Sequence, residues 1–168
     1  MSRTLERPDG MDLRASFLDA MSNVSSSIAV VTSMNGGRPH GTTVTAFMSL
    51  SVDPPMVVVA LDSTSDLLGH VRKTERFAVN ILGRDQQDQA LGFARKGPDK
   101  FAGVRWSGLH GLPVLEEVSG VVLCSLHNTV DGGDHELLLG SVSYAWTSPA
   151  ITPLNYHRRG FGCHRPLE

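Results

Sequence analysis

Five hydroxyl side chains crowd into ten residues: Thr42, Thr43, Thr45, Ser49 and Ser51. They are interleaved with Val44, Ala46 and Phe47. A small-molecule site is an apolar slot with a few placed donors and acceptors. A flat heterocycle with a polar edge suits this mixture. The same composition also suits a strand that uses Thr for its β propensity and turns it to water. A second hydroxyl group, Ser63-Thr64-Ser65-Asp66, precedes a helical pattern. Free N–H groups and hydroxyls at a helix start can hold a phosphate, and they can equally be a plain N-cap. His135 follows the turn Asp131-Gly132-Gly133-Asp134, where it either faces solvent or serves a reacting ligand.

Other chemistries leave no signature. No G-x-G-x-x-G follows a strand, and no G-x-x-x-x-G-K-[ST] loop is present. GFARKG, residues 92–97, has its glycines and lysine in the wrong order. No G-x-S-x-G elbow signals a hydrolase nucleophile. The seven histidines are scattered, and His157, Cys163 and His164 match no common metal spacing, so no metal is expected. Cys124 sits in an apolar run and reads as a buried small hydrophobe, with no disulfide to Cys163.

The elements that must position these residues follow from periodicity. Leu13, Phe17, Leu18, Met21 and Val24 fall at helical spacing after Asp12, a candidate N-cap, and predict an amphipathic helix with one face to bury. Six strands are expected, over residues 27–34, 40–51, 56–62, 77–82, 120–130 and 135–146. The third is apolar throughout and predicts burial on both faces. Asn35-Gly36-Gly37 reads as a hairpin turn, and Asp53-Pro54-Pro55 as a break. Helices are expected over 63–75 and 86–95, a loop-rich stretch over 96–117, and a solvated tail. Three helices that do not alternate with strands argue against a doubly wound parallel sheet. They favour a closed or split antiparallel barrel with helices outside.

With 168 residues, one domain over 12–168 behind a loose arm, 1–11, is the expectation. The net charge of −2 argues against a nucleic-acid surface. No apolar run is long enough to span a membrane. The polar start lacks a secretory core, so the cytoplasm is the expected location.

Five segments, in order, carry a resemblance: HGTTVTAFMSLSVDPPMVVVALDSTS, FAVNIL, FARKGPDKFAG, DGGDHELLLGSV and YHRRGF. Together they cover the chain from about Asp12 to Phe161, and the set resembles the short-chain flavin reductase family. These are the reductase components of two-component flavin monooxygenases. The resemblance implies a mainly β fold: a split antiparallel β-barrel of the FMN-binding type, Greek-key-like, with short helices outside. It implies a homodimer with flavin held partly at the subunit interface. The implied cofactors are FMN or FAD, with NADH or NADPH as reductant and a separate monooxygenase as partner.

On that resemblance, Pro39, His40, Gly41, Thr42 and Thr43, with Thr45 and Ala46, run along the isoalloxazine ring. Phe47 and Ser49 support it. Ala60, Leu61 and Asp62 end a strand under the flavin, with Ser63 and Ser65 near the ribityl phosphate. Phe93, Ala94, Arg95 and Lys96 approach the flavin tail. Asn80 is either structural or stands just behind the residues that touch the flavin. His135 stands beside nicotinamide and flavin. Tyr156, His157 and Phe161 line the mouth of the site, and Arg158 and Arg159 are candidates for dinucleotide phosphates. The implied reaction is hydride transfer from nicotinamide C4 to flavin N5, chiefly a matter of orientation. Three positions depart from the family pattern: Ser25-Ser26-Ser27 where Thr-Gly is frequent, Leu67 where a hydroxyl is expected, and Gly92 where Arg is common. The last two imply a flavin that comes and goes. A flavin- or haem-binding barrel with a non-reductase role in a biosynthetic pathway, and a non-catalytic dimeric barrel, remain the alternatives.

Overall fold

A computed structural model describes residues 12–166. The expected arm, 1–11, lies outside the described residues. Helix α1 (Leu13–Ser22) is capped by Asp12, whose carboxylate accepts the Ala15 N–H at 3.3 Å. The expected buried face is not found: Leu13, Phe17, Leu18, Met21 and Val24 are all exposed, and no residue of the helix is buried by the described residues. After the short β1 (Ser26–Ser27), strand β2 (Ala29–Asn35) turns at Gly36-Gly37 into β3 (Arg38–Val44). Both glycines have positive φ, 60° and 77°, as a tight hairpin of this hand requires.

Residues 40–51 do not form the single strand expected. The run breaks at Thr45-Ala46, and β4 (Phe47–Val52) follows. The reason is a change of partner: β3 pairs with β2 through Val44, whereas β4 pairs with β5 (Pro55–Asp62) from Phe47 on. In β5 only Val59 and Leu61 are fully buried, which corrects the expectation of burial on both faces. Helix α2 (Asp66–Thr74) buries Leu67, Leu68 and Val71. Then come β6 (Arg76–Ile81) and α3 (Gln87–Ala94). The stretch expected as loop contains a small hairpin, β7 (Trp106–Leu109) and β8 (Leu112–Leu115). The long hairpin β9 (Gly120–Gly132) and β10 (His135–Thr147) carries two register shifts. The tail, expected only to be solvated, is a third hairpin, β11 (Leu154–His157) and β12 (Gly160–Cys163), which pairs with β1. Twelve strands therefore stand among the described residues, where six were expected.

The main sheet is antiparallel, ordered β3-β2-β6-β9-β10-β5-β4. Its two edge strands, β3 and β4, are consecutive in the chain. The sheet thus curls until its edges meet at Thr45-Ala46, joined by covalent chain and not by a ladder. That is a split antiparallel barrel, as the sequence implied. β2 and β6 are buried on both faces. One face packs Ile28, Val30 and Ala78 against Phe93 of α3 and Leu115 of β8. The other packs Val31, Phe77 and Val79 against Leu68 and Val71 of α2. Asn80 sits in this core as a structural link, donating to Val30 O at 3.0 Å and accepting the Leu115 N–H at 2.9 Å. None of the described helices is long and apolar enough to cross a membrane.

Candidate functional site

The split in the barrel opens onto a cleft of about 1270 Å³. An edge strand presents a row of backbone groups without partners, and β3 pairs with β2 on one side only. Its free side, with the Thr45-Ala46 link, forms one wall. Ala46 accepts the Ala60 N–H at 2.9 Å, which brings the end of β5 against this link, and the turn into α2, the loop after α3 and the tip of the long hairpin complete the cleft.

Most of the expected site residues meet here. Pro39, His40, Gly41, Thr42, Thr43, Thr45 and Ala46 line the first wall. Ala60, Leu61, Asp62, Ser63 and Ser65 line the second. Ala94, Arg95 and Lys96 come from the end of α3, and His135 from the start of β10.

Local chemistry fixes several of them. Thr43 donates its hydroxyl to Ala90 O at 2.6 Å, tying β3 to α3. Ser63 donates both its N–H (3.0 Å) and its hydroxyl (2.9 Å) to Asp134 O, clipping the β5 turn to the hairpin tip beside His135. Its hydroxyl proton is therefore already committed within the protein. Ser65 is the N-cap of α2 and makes no side-chain cap bond, so its hydroxyl is free for a ligand. Thr64 donates its hydroxyl and its N–H to Asp62 Oδ1, each at 2.7 Å, and these bonds hold the Asp62 carboxyl below its ordinary range. Nearby His135 and Lys96 act in the same direction. His135 Nδ1 lies 2.7 Å from Asp134 Oδ1, which leaves Nε2 as the ring nitrogen open to a ligand.

Four expected residues stand outside the cleft, and one points away from it. Ser49 is exposed on β4 opposite Val57. Phe93 turns its ring into the core, where it meets Phe101 edge-on at 4.9 Å. Tyr156 packs edge-on against Phe161 at 5.3 Å. His157 and Phe161 line a separate cavity of about 340 Å³ beside Ser25 and Cys163. The reason is topological: the tail hairpin pairs with β1, not with the strands around the split. Arg158 is bound to Asn23 Oδ1, at 2.7 and 2.9 Å, away from the cleft.

The departures read from sequence also change meaning. Leu67 borders the cleft but is 3% exposed and packs in the core, so the position expected to carry a hydroxyl is spent on a core contact. At Gly92 a side chain would meet open space, so an arginine is missing there without any steric reason.

Several cleft residues carried no motif. Six cations line it (Arg38, Arg72, Lys73, Arg95, Lys96 and Lys100) against two carboxylates, Asp62 and Asp66. On a chain of net charge −2 this concentrates positive potential where an anion would enter. Lys100 donates to Phe93 O at 3.0 Å, and burial lowers its pKa. Arg72 is paired with the buried Glu136, which anchors α2 to β10 next to His135. His40 and His70 stack with ring centroids 3.5 Å apart. Only the charge count could have been read from the sequence. The pairings depend on which face of α2 and β3 looks into the cleft.

Among the described residues no group of three His, Cys, Asp or Glu side chains could hold a metal ion. The donor set instead fits a flavin: a free strand edge with hydroxyls for the polar rim of a flat ring, then a helix start with lysines for a phosphate.

The family described as "Flavin reductase like domain" matches residues 21–163. The NADH:riboflavin 5'-phosphate oxidoreductase of Streptomyces pristinaespiralis is 39% identical over 156 residues, covering 90% of this chain and 87% of that protein. The reductase component of the 4-nitrophenol 4-monooxygenase/4-nitrocatechol 2-monooxygenase of Rhodococcus opacus is 34% identical over 155 residues, covering 92% and 83%. The solved structure of a Streptomyces globisporus NADH:FAD oxidoreductase, in complex with NAD and FAD fragments, superimposes with a TM-score of 0.83 at 28% identity, covering 92% of this chain and 94% of that one. The chain belongs to the flavin reductase-like family.

Proposed function

We infer that this chain is an NAD(P)H-dependent flavin reductase that supplies reduced flavin to a separate flavin-dependent monooxygenase. The observation that carries this reading is the position of the cleft. It opens at the one seam where the barrel closes without a ladder, so unpaired backbone, hydroxyls and cations face a single space. Thr42, Thr45 and Ala46 would hold the polar edge of the ring. Ser65, the start of α2, Lys96 and Lys100 would hold the phosphate. The two bound cofactors supply the hydride chemistry. This chain's part is to stack and orient them and to keep His135 in place through Asp134 and the Ser63 clip.

A second copy of the chain completes the molecule. The exposed apolar residues of α1 and β4, among them Phe17 (58% exposed), Met48 (61%) and Val52 (87%), support a homodimer. Tyr156, His157 and Phe161 would then reach a cleft only across that interface. Free thiols at Cys124 and Cys163 suit a reducing cytoplasm.

The test is steady-state turnover with each pairing of FMN or FAD with NADH or NADPH. Oxidation of the nicotinamide that rises with added free flavin is expected. No oxidation with any of the four pairs rejects the reading.

A further inference from the structure

His135 stands between two residues that are tied to the same segment of the chain. On one side, Asp134 O accepts the N–H and the hydroxyl of Ser63, at 3.0 and 2.9 Å. On the other, a Glu136 carboxylate oxygen accepts from the Arg72 guanidinium. Ser63 lies in the turn before α2, and Arg72 in the last turn of that helix. One helix and the turn leading into it therefore grip β10 on both sides of His135. Strand alternation does the rest. Glu136 turns inward, where it is 5% exposed, and its neighbour His135 lines the cleft. A carboxylate is an unfavourable group for such a place. Glu136 stands opposite Leu61 and two residues from Leu138, both in the core. Its other oxygen, Oε1, is buried with no partner among the described residues. A buried ion pair is a weak source of stability, because desolvation offsets the attraction, and an apolar side chain of similar volume would serve the core as well. What the pair adds is direction. Leu67, Leu68 and Val71 hold α2 by apolar contact, which is non-directional. A charge-assisted hydrogen bond fixes where the helix stands along the strand. Among the described residues this is the only hydrogen bond or ion pair between α2 and β10.

We propose that Glu136 is a positioning residue for the hydride transfer: through Arg72 it completes, with the Ser63–Asp134 bonds, a two-point bracket that holds His135 toward the bound ligands. This rests on the flavin reductase reading of the cleft. Glu136 does not line the cleft, so it acts through its neighbour and not on the ligands. Orientation is what this reaction asks of the protein, and a misplacement of about 1 Å can cost up to about a hundredfold in rate.

The test uses the full chain and the variants Glu136→Leu, Glu136→Gln and Arg72→Met, each also combined with His135→Ala. Leucine removes the tie without leaving a buried charge, because the half-exposed Arg72 turns to water. Glutamine keeps an acceptor for Arg72. The rate read is single-turnover reduction of flavin at saturating reduced nicotinamide, with Tm as the control. Glu136→Leu should lose about tenfold in this rate, with the KM for flavin within about twofold and Tm unchanged or raised. Glu136→Gln should retain most of the rate. Arg72→Met breaks the same tie from the exposed end, and decides the question if Glu136→Leu does not fold. In the His135→Ala background each loss should shrink to within about twofold, because a residue that acts through His135 has nothing left to position. The proposal is overturned if the folded variant that breaks the tie stays within about twofold of the unaltered rate, or if its loss is undiminished in the His135→Ala background. Nitrogen NMR of the His135 ring reads the bracket without turnover. The unaltered chain should show one tautomer, protonated on Nδ1 toward Asp134, and Glu136→Leu a mixture; identical spectra also overturn the proposal. Absence of flavin reduction by the unaltered protein with every pair rejects the reductase reading instead, and the NMR spectra still decide whether the bracket holds His135.

Discussion

At the scale of single residues, His135 is the side chain whose surroundings say most about its task. It starts β10 opposite Asp62, and its Nδ1 is engaged by Asp134. The neighbouring Ser63 bonds fix the tip that carries it. Replacing His135 with Ala removes one polar contact to the reacting ligands, a contact worth about 1.5–3 kcal/mol, so kcat/KM for the reduced nicotinamide should fall about tenfold to a hundredfold. Stopped-flow reduction of added flavin checks it, and unchanged rates would remove His135 from the site. Cys124 gives a pH prediction. Burial pushes its thiol from an ordinary 9.0 up to about 12. A group whose folded pKa is raised stabilises the fold fully below the unfolded value and loses that contribution as pH rises through the folded one. Stability should therefore decline between about pH 9 and pH 12, by at most about 1.4 kcal/mol per pH unit from this thiol. Denaturant midpoints should show a shallower alkaline decline in Cys124→Ala than in the unaltered chain. Equal slopes would show that the thiol is not the group responsible.

At the scale of elements, the contact between β3 and α3 sets the width of the cleft. Gly41 lies on β3, and a Cβ there would come within 2.9 Å of the Phe93 ring and 3.3 Å of Thr32 Cγ2. Gly41→Ala should push Phe93 and α3 outward, carrying Ala94, Arg95 and Lys96 with them. Overpacking of this kind costs about 1–3 kcal/mol. A lower Tm is expected together with a higher KM for flavin, and a lower Tm with an unchanged KM would separate α3 from the site. The same elements show what could be read in advance. The long strands, the three helices and the hydroxyl-rich wall were legible because their periodicity and turn residues are local. The break at Thr45-Ala46 was not, because it marks a change of partner between β2 and β5, and nothing in TTVTAF itself interrupts a strand. The tail hairpin escaped for a similar reason: its glycines suit a loop as well as a turn, and its partner β1 is two residues long. Lys100 and His70 were missed because a cation and a histidine on a helix or loop carry no pattern until the cleft assigns them a side.

At the scale of the whole molecule, the apolar surface that this chain leaves uncovered is continuous with the question of how the site is completed. α1 buries none of its residues, and Met48, Leu50 and Val52 stand outward on edge strand β4. A long, apolar edge strand is a template for association, and natural proteins blunt such edges unless they use them. Here the strand carries no lysine, and Asp53 with Pro54 stands only at its end. Two copies meeting through these surfaces would cover both at once. The variant that tests this is Phe17→Glu combined with Val52→Glu, since both side chains are exposed in the single chain and neither supports its core. In solution scattering the unaltered protein should give about twice the 18.1 kDa chain mass, and the variant the chain mass itself, with the same far-UV spectrum. If Tyr156, His157 and Phe161 act across that interface, the separated chains should also lose flavin turnover while remaining folded. An unaltered protein that is fully active at the mass of one chain would show that each cleft works alone, and that the tail aromatics belong to the core and not to the site.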